Sequence, residues 1–138
     1  IAHMPGLSIR MLSIGVGLSH AATVRLVDRL AAEGLVERRE HFTDGRTRSL
    51  YLTAAGKIAS DEVLSSRDEV IAEGLSILSP DELKVLGAIA ERVLRNRLEN
   101  LEHSYRICRL CCYEGCTNCP IDAELHERGV DRENSGEA

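Results

Sequence analysis

The sequence is poor in aromatic residues and has no tryptophan. Only 3% of its 138 residues are aromatic, whereas proteins that bind single-stranded nucleic acid stack the bases on aromatic side chains. No run approaches the roughly 18 consecutive apolar residues of a membrane-spanning helix, and no basic start followed by an apolar stretch indicates a secretory signal. These absences argue against a single-strand binder, a membrane protein and a secreted protein. We expect one globular domain in the cytoplasm.

The formal net charge is −5, but the charges are unevenly distributed along the chain. Residues 1–57 contain eight basic and five acidic side chains, a net +3, whereas the rest contains nine basic and seventeen acidic side chains, a net −8. A basic first part joined to an acidic second part indicates that any surface for nucleic acid is confined to one end of the molecule.

A short amphipathic helix is predicted after residue 18. Ser19 is placed to cap the helix at its N-terminus, and Gly34 is placed to end it in a left-handed turn. The apolar residues of this segment fall three or four positions apart, on one face: Ala22, Leu26, Val27, Leu30 and Ala31.

A β-hairpin is predicted next. Two short segments, Leu35-Val36-Glu37-Arg38-Arg39 and Leu50-Tyr51-Leu52, flank a polar stretch that contains Asp44-Gly45. An Asp-Gly pair between such segments is a strong signal for a tight hairpin turn. The turn carries arginine residues, so we expect the tip of the hairpin to be basic.

Two long helices are predicted after the hairpin. Thr53 is a candidate N-cap for a helix that spans about 54–78, with a bend near Gly74. The segment from Ser79 to Glu82 combines an N-cap, a proline in the first turn and a capping-box glutamate. We expect this second helix to run to about Arg106. A helix of about 25 residues is nearly 38 Å long, which exceeds the needs of a small core. We therefore predict a homodimer.

Four short motifs carry a resemblance to a known family. They are LVDRL at 26–30, GLV at 34–36, DGR at 44–46 and LTAAG at 52–56. In this order, over roughly residues 18–106, the chain closely resembles the MarR-type transcriptional regulators. The resemblance implies a mainly α fold with a small β-hairpin, a winged helix-turn-helix that dimerises through long terminal helices. It also implies a DNA-binding regulator without catalytic residues.

The resemblance implies particular DNA contacts. A dimer of this family places its recognition helices in successive major grooves and its wings in the flanking minor grooves. Arg46 would enter the minor groove and Arg48 would contact a phosphate. On the recognition helix, the residues that would face the major groove are Ser19, His20, Ala21, Thr23 and Arg25.

The chain departs from the family pattern before the recognition helix. Members of the family carry a dimerisation helix and two further helices there, but only 18 residues precede Ser19, and the segment 11–17 does not indicate a supporting helix. We expect the winged helix-turn-helix part, residues 1–57, to be incomplete on its N-terminal side. Residues 58–106 are assigned to dimerisation, 107–121 to a cysteine-rich loop, and 122–138 to a charged, disordered tail.

All five cysteines lie within twelve residues. Cys108 with Cys111, and Cys116 with Cys119, form two C-x2-C pairs, which in a cytosolic protein favour a metal centre over disulfides. The adjacent Cys112 is interpreted as a spare thiol. Zinc in a closed four-thiolate site is one candidate, and a thiol loop that oxidises during handling is another reading.

We favour an iron-sulfur cluster over zinc. The last three predicted ligands have the C-x4-C-x2-C spacing of plant-type 2Fe-2S ferredoxins, and a proline follows the last cysteine. Paired C-x2-C zinc sites usually have a longer connection than four residues. Because the loop follows the predicted dimerisation helix, a change in the cluster could alter the spacing of the recognition helices, which would make the protein a redox or iron sensor.

A metal-handling or electron-transfer protein that does not bind DNA is the alternative function. An enzyme has no support in the sequence, because Ser19 and His20 are adjacent rather than opposed and no glycine-rich phosphate loop is present. A centre with four thiolate ligands would also leave no open position on the metal.

Overall fold

A computed structural model of the chain describes residues 1–40, 48–111 and 118–130. The fold is mainly helical with one two-stranded sheet, as predicted. In the described part of the chain, no helix is both long enough and apolar enough to cross a membrane. The elements are α1 (Ile9–Val16), α2 (His20–Ala32), β1 (Val36–Glu40), β2 (Arg48–Leu52), α3 (Ala54–Leu75), α4 (Pro80–Arg97), α5 (Leu101–Ile107), a 3-10 turn (Cys108–Leu110) and α6 (Pro120–Glu127).

The expectation that segment 11–17 forms no supporting helix is wrong, because helix α1 spans Ile9–Val16. The Ser8 hydroxyl accepts a hydrogen bond from the Met11 N–H at 3.2 Å and caps the helix, which ends at Gly17 with φ +70°. Leu12 and Gly15 are the buried residues of α1. Two turns are too short for a clear apolar period, so packing against the rest of the molecule stabilises this helix.

Helix α2 and the hairpin follow the prediction. Ser19 caps α2 by accepting from the Ala22 N–H at 3.3 Å, and Gly34 has φ +71° just after the helix. Strands β1 and β2 are antiparallel and pair from Val36 with Leu52 to Glu40 with Arg48. The predicted turn, residues 44 and 45, lies outside the described residues.

The first hydrophobic core lies between α1, α2 and the hairpin. The extended segment before α1 joins it, because the Gly6 N–H donates to the Leu50 carbonyl at 2.8 Å and the Leu50 N–H donates to the Leu7 carbonyl at 3.0 Å. This core holds α1, α2 and the hairpin together. Its buried side chains are Leu7, Leu12, Val27, Val36 and Leu50.

The predicted caps of both long helices are confirmed. Thr53 caps α3 through the Gly56 N–H, and Ser79 with Glu82 forms the complete capping box of α4. Helix α3 ends at Leu75, three residues earlier than predicted. The apolar side chains of both helices stay largely exposed within one chain, because Gly56 is the only buried residue of α3 and α4 has none.

The prediction that the second long helix continues to Arg106 is wrong. Helix α4 ends at Arg97, and α5 starts after Asn100, whose side-chain oxygen accepts from the His103 N–H at 2.8 Å. Between them Leu98 is only 2% exposed and enters a second hydrophobic core. The break turns α5 towards α1, so the apolar residues after 97 are used within the chain.

The prediction of a disordered tail from residue 122 is wrong up to residue 130. Helix α6 places Ile121 and Leu125 in the second core, beside Leu98 and Cys108. It is also held to α4 by Arg95, whose Nε donates to a Glu124 carboxylate oxygen at 2.7 Å. Two buried apolar residues four positions apart, together with this ion pair, anchor the short helix. The remaining tail, 131–138, lies outside the described residues.

Candidate functional site

The first half of α2 presents an exposed polar face. Ser19, His20, Ala21 and Arg25 are all exposed, whereas Val27, on the side of the helix opposite Arg25, is buried in the first core. The Ser19 hydroxyl is engaged in capping the helix, so the helix N-terminus is already formed. The face has the size and character of a helix that enters a major groove, with a serine, a histidine and an arginine able to reach base edges or phosphates.

Thr23 is the exception to the predicted exposed face. Its side chain is 0% exposed, and its hydroxyl donates to the Ser19 carbonyl at 3.0 Å. The spacing of residues on α2 places Thr23 four positions before the buried Val27, which explains its inward position. It supports the start of the helix from inside and does not belong to the exposed surface.

An ion pair joins α2 to the hairpin. Arg38 on β1 donates from Nη2 to the Asp28 carboxylate on α2 at 2.6 Å. Arg39 on the same strand lies over the Tyr51 ring, 4.4 Å from its centroid, a cation–π contact. No pattern in the sequence predicts the Asp28–Arg38 pair, because its members are ten positions apart in different elements. The pair links the exposed helix face to the hairpin.

The predicted wing residues are only partly described. Arg48 is exposed at the start of β2, opposite Glu40. It lies at the end of the hairpin that leads to the turn, where a phosphate contact is possible. Arg46, predicted to enter the minor groove, lies outside the described residues.

The described cysteines lie on either side of residues 112–117. Cys108 is 2% exposed in the second core, and Cys119, just before α6, packs against that same core. Cys111 is exposed at the end of the 3-10 turn. Cys112 and Cys116 lie outside the described residues. Among the residues that are described, no three His, Cys, Asp or Glu side chains are grouped so that they could hold a metal ion.

The environment of Cys119 acts on its thiol in two directions. Burial raises the pKa of the Cys119 thiol, whereas the backbone N–H groups of Asp122 and Ile121 at the start of α6 lower that pKa by a smaller amount. Burial dominates, so the pKa of the Cys119 thiol lies above its ordinary value.

The arrangement of α1, α2 and the hairpin defines a winged helix-turn-helix, a class of DNA-binding proteins. The sequence model of the MarR family matches residues 1–47. The HTH-type transcriptional regulator BilQ of Clostridium symbiosum is 30% identical over 101 residues, which are 73% of this chain and 70% of BilQ. The chain therefore belongs to the MarR family.

Other relatives agree with this membership. The transcriptional repressor MprA of Escherichia coli K12 is 34% identical over 91 residues, which are 66% of this chain but 51% of MprA. The chain thus spans about half the length of that relative. These relatives are named as transcriptional regulators, not as enzymes.

Solved structures of the family share the fold. A MarR family protein from Bacillus stearothermophilus has a TM-score of 0.61 at 25% identity, over 66% of this chain and 63% of that one. Wild-type MarR from Escherichia coli has a TM-score of 0.54 at 25% identity, over 64% of this chain and 65% of that one. The fold class predicted from the sequence is confirmed.

Proposed function

We propose that this chain is a transcriptional regulator that binds duplex DNA through α2 and the hairpin. The single observation that carries the proposal is the exposed face of α2 with Ser19, His20 and Arg25, set on a helix whose other side is buried in the winged-helix core. The net positive charge of residues 1–57 supports the same surface. Family membership is in agreement with this function.

We propose further that the regulator works as a homodimer. Helices α3 and α4 expose apolar side chains that one chain does not cover, and contiguous exposed apolar surface of this kind marks an interface. A second copy is the occupant that the family fold favours, since two copies would present two recognition helices to one site. The exposed apolar residues are Ile58, Val63, Val70 and Ile71 of α3, and Leu83, Val85, Leu86, Ile89, Val93 and Leu94 of α4.

Substitution of Arg25 tests the DNA-binding face. Arg25→Ala is expected to weaken binding to a duplex selected from a random pool by about five- to hundredfold, and to reduce the salt slope by about 1 if the contact is to a phosphate. The wing variant Arg46→Ala is expected to weaken binding in the same range. Fluorescence anisotropy at several salt concentrations measures both quantities.

The control is Lys84→Ala, which removes an exposed positive charge of α4 that is paired with Asp81. It is expected to bind the duplex like the wild type. If Arg25→Ala binds as tightly as Lys84→Ala, α2 is not the recognition helix. If the wild type binds no duplex at all, the metal-handling or electron-transfer function replaces the regulator.

We also propose that Cys108, Cys111, Cys116 and Cys119 hold a metal centre. The support comes from sequence spacing and from the packing of α6, which brings Cys119 onto the core that contains Cys108, eleven positions earlier in the chain. Thiolates suit both iron-sulfur clusters and zinc. The spacing favours a 2Fe-2S cluster, and zinc remains the alternative.

Substitution of a ligand tests the centre. Cys119→Ser and Cys116→Ser are each expected to lose most of the bound metal, because a serine hydroxyl is a poor replacement for a thiolate. Iron, zinc and acid-labile sulfide are measured in protein purified without oxygen. Iron with matching sulfide supports the cluster, and zinc without sulfide supports the zinc site.

Cys112→Ser is the matched control and is expected to keep its metal. If Cys119→Ser keeps as much metal as this control, the predicted ligand set is wrong.

A further inference from the structure

Helices α1 and α5 pack side by side and run in the same direction. At the start of the pair, Arg10 of α1 forms an ion pair with Glu102 of α5 at 2.9 Å. At the end of the pair, the Arg106 Nε donates to the Ile14 carbonyl at 3.1 Å. Because Ile14 is in the last turn of α1 and α2 begins at His20, the end of α5 lies beside the short turn that leads into the recognition helix.

The guanidinium of Arg106 reaches this turn directly. A Cβ at Gly17, the first residue of the turn, would lie 3.6 Å from the Arg106 Nη2. Gly17 comes two positions before Ser19, the N-cap of α2, and two residues span at most about 7 Å. The guanidinium is therefore within about 12 Å of the Ser19 Cα, where the exposed face of α2 begins.

Arg106 carries a positive charge without an acidic partner among the described residues. Glu102, one helical turn earlier, is the acidic residue placed to pair with it, but the Glu102 carboxylate is engaged by Arg10. Within residues 1–40, 48–111 and 118–130, no carboxylate forms an ion pair with Arg106. Arg106 is exposed, and its bond to Ile14 uses Nε alone. Both terminal NH2 groups can therefore bind an anion from outside the chain.

The anion expected at this place is a backbone phosphate of duplex DNA. A helix in the major groove, which is about 12 Å wide, has a phosphate backbone on each side. A cation within about 12 Å of the start of α2 can thus reach the backbone along one edge of the groove. A guanidinium binds a phosphate through charge-assisted hydrogen bonds, frequently two at once. The reach and the chemistry of Arg106 both fit a phosphate contact.

We propose that Arg106 of α5 belongs to the DNA interface, where its guanidinium binds a backbone phosphate beside the groove that receives α2. The inference rests on the DNA-binding function proposed above. It adds a contact from outside residues 1–57, the basic part of the chain to which the charge distribution assigns the nucleic-acid surface. Because a phosphate carries no base information, this contact strengthens binding to every duplex and does not select a sequence.

Arg106→Gln tests the contact by removing the charge. One phosphate contact contributes about 0.9 to the slope of log affinity against log salt, which equals about eightfold in affinity between 1 M and 0.1 M salt. We expect Arg106→Gln to bind about eightfold more weakly per protomer at about 0.1 M KCl, and to lower the slope by about 1. The loss should be equal on the selected duplex and on a duplex of scrambled sequence. Fluorescence anisotropy of the full chain measures all three quantities.

Two controls separate a phosphate contact from a structural role. Arg106→Lys keeps the positive charge but lacks the guanidinium that bonds to the Ile14 carbonyl, so it should retain most of the salt slope. Lys84→Gln removes one positive charge from the exposed surface of α4 and should bind both duplexes like the wild type. Circular dichroism checks that the variants are folded, which the exposure of Arg106 leads us to expect.

The outcomes distinguish this inference from the proposed function. If Arg106→Gln and Arg106→Lys weaken binding equally and keep the wild-type salt slope, Arg106 only holds α5 on α1 and the phosphate contact is overturned. A loss confined to the selected duplex assigns Arg106 to a base and also overturns it. If Arg106→Gln binds like Lys84→Gln while Arg25→Ala is weakened, Arg106 lies outside the interface and the DNA-binding function stands. A wild type that binds no duplex overturns the regulator and this inference with it.

Discussion

Replacing Gly56 with alanine is expected to unfold the winged-helix part under conditions in which the wild type is folded. A Cβ at this position would lie 1.9 Å from the carbonyl oxygen of Leu35 and 2.8 Å from its carbonyl carbon. Both atoms belong to the backbone, so no side chain can rotate to make room. The Thr53 N–H also donates to the Leu35 carbonyl at 3.1 Å, which holds the start of α3 in place.

The expected loss of stability is large for one methyl group. Effects above about 4 kcal/mol arise from mechanisms of this kind, and a domain has only about 5–15 kcal/mol of total stability. Urea denaturation followed by circular dichroism measures the free energy of unfolding. Gly74→Ala is the control in the same helix, because a Cβ there meets nothing within 4 Å. It should stabilise the protein by about 0.5–1 kcal/mol.

The two variants are interpreted together. If Gly56→Ala unfolds at the same urea concentration as Gly74→Ala, α3 does not press against Leu35 as the structure describes. If Gly56→Ala unfolds at a much lower urea concentration than Gly74→Ala, the result supports the position of α3 against the turn that ends α2.

Ile89→Asp is expected to convert the dimer to a monomer and to lower DNA affinity by about a hundredfold or more. Ile89 is 51% exposed in one chain and lies on the same face of α4 as Leu86 and Val93. A carboxylate in an apolar interface would lose its water without gaining a partner. Because two linked recognition helices gain about 10²–10⁴ in avidity over one, the monomer should bind a two-part site weakly.

Ala88→Asp is the matched control for this substitution. Ala88 is also exposed, but it lies on the side of α4 that carries Lys84 and Arg95, turned away from Leu86 and Val93. The same charge there should leave the dimer and DNA binding intact. Sedimentation equilibrium gives the oligomeric state, and anisotropy gives the DNA affinity. If Ile89→Asp remains a dimer, the apolar face of α4 is not the interface.

Local chemistry made several elements predictable. Ser19, Thr53 and Ser79 each cap a helix as expected, because an N-cap needs only a side-chain oxygen and the next backbone N–H groups. The exposed face of α2 was also predictable, since helix periodicity separates Arg25 from Val27. The cysteine spacing indicates a centre without reference to any other part of the chain.

Other elements depend on contacts between distant residues. The break at Leu98 follows from a core that only forms when α6 returns to α4. The local signal for it is limited to Asn100, the N-cap of α5. Helix α1 has local caps in Ser8 and Gly17, but its two turns also depend on packing against α2 and α5. The inward position of Thr23 and the Asp28–Arg38 pair also require the assembled helix and hairpin.

By itself, the sequence determined the helix caps, the hairpin and the family motifs, and its cysteine spacing predicts a metal centre. Each of these lies within one short stretch of the chain, the longest being the hairpin from Val36 to Leu52, so the necessary physics is local. Only the tertiary structure decided where α4 ends, that α6 is ordered, and that α5 connects the cysteine segment to α1. Those features arise because apolar side chains far apart in the chain lower the free energy of the fold when they are buried together. No single segment of the sequence shows which distant side chains it will contact.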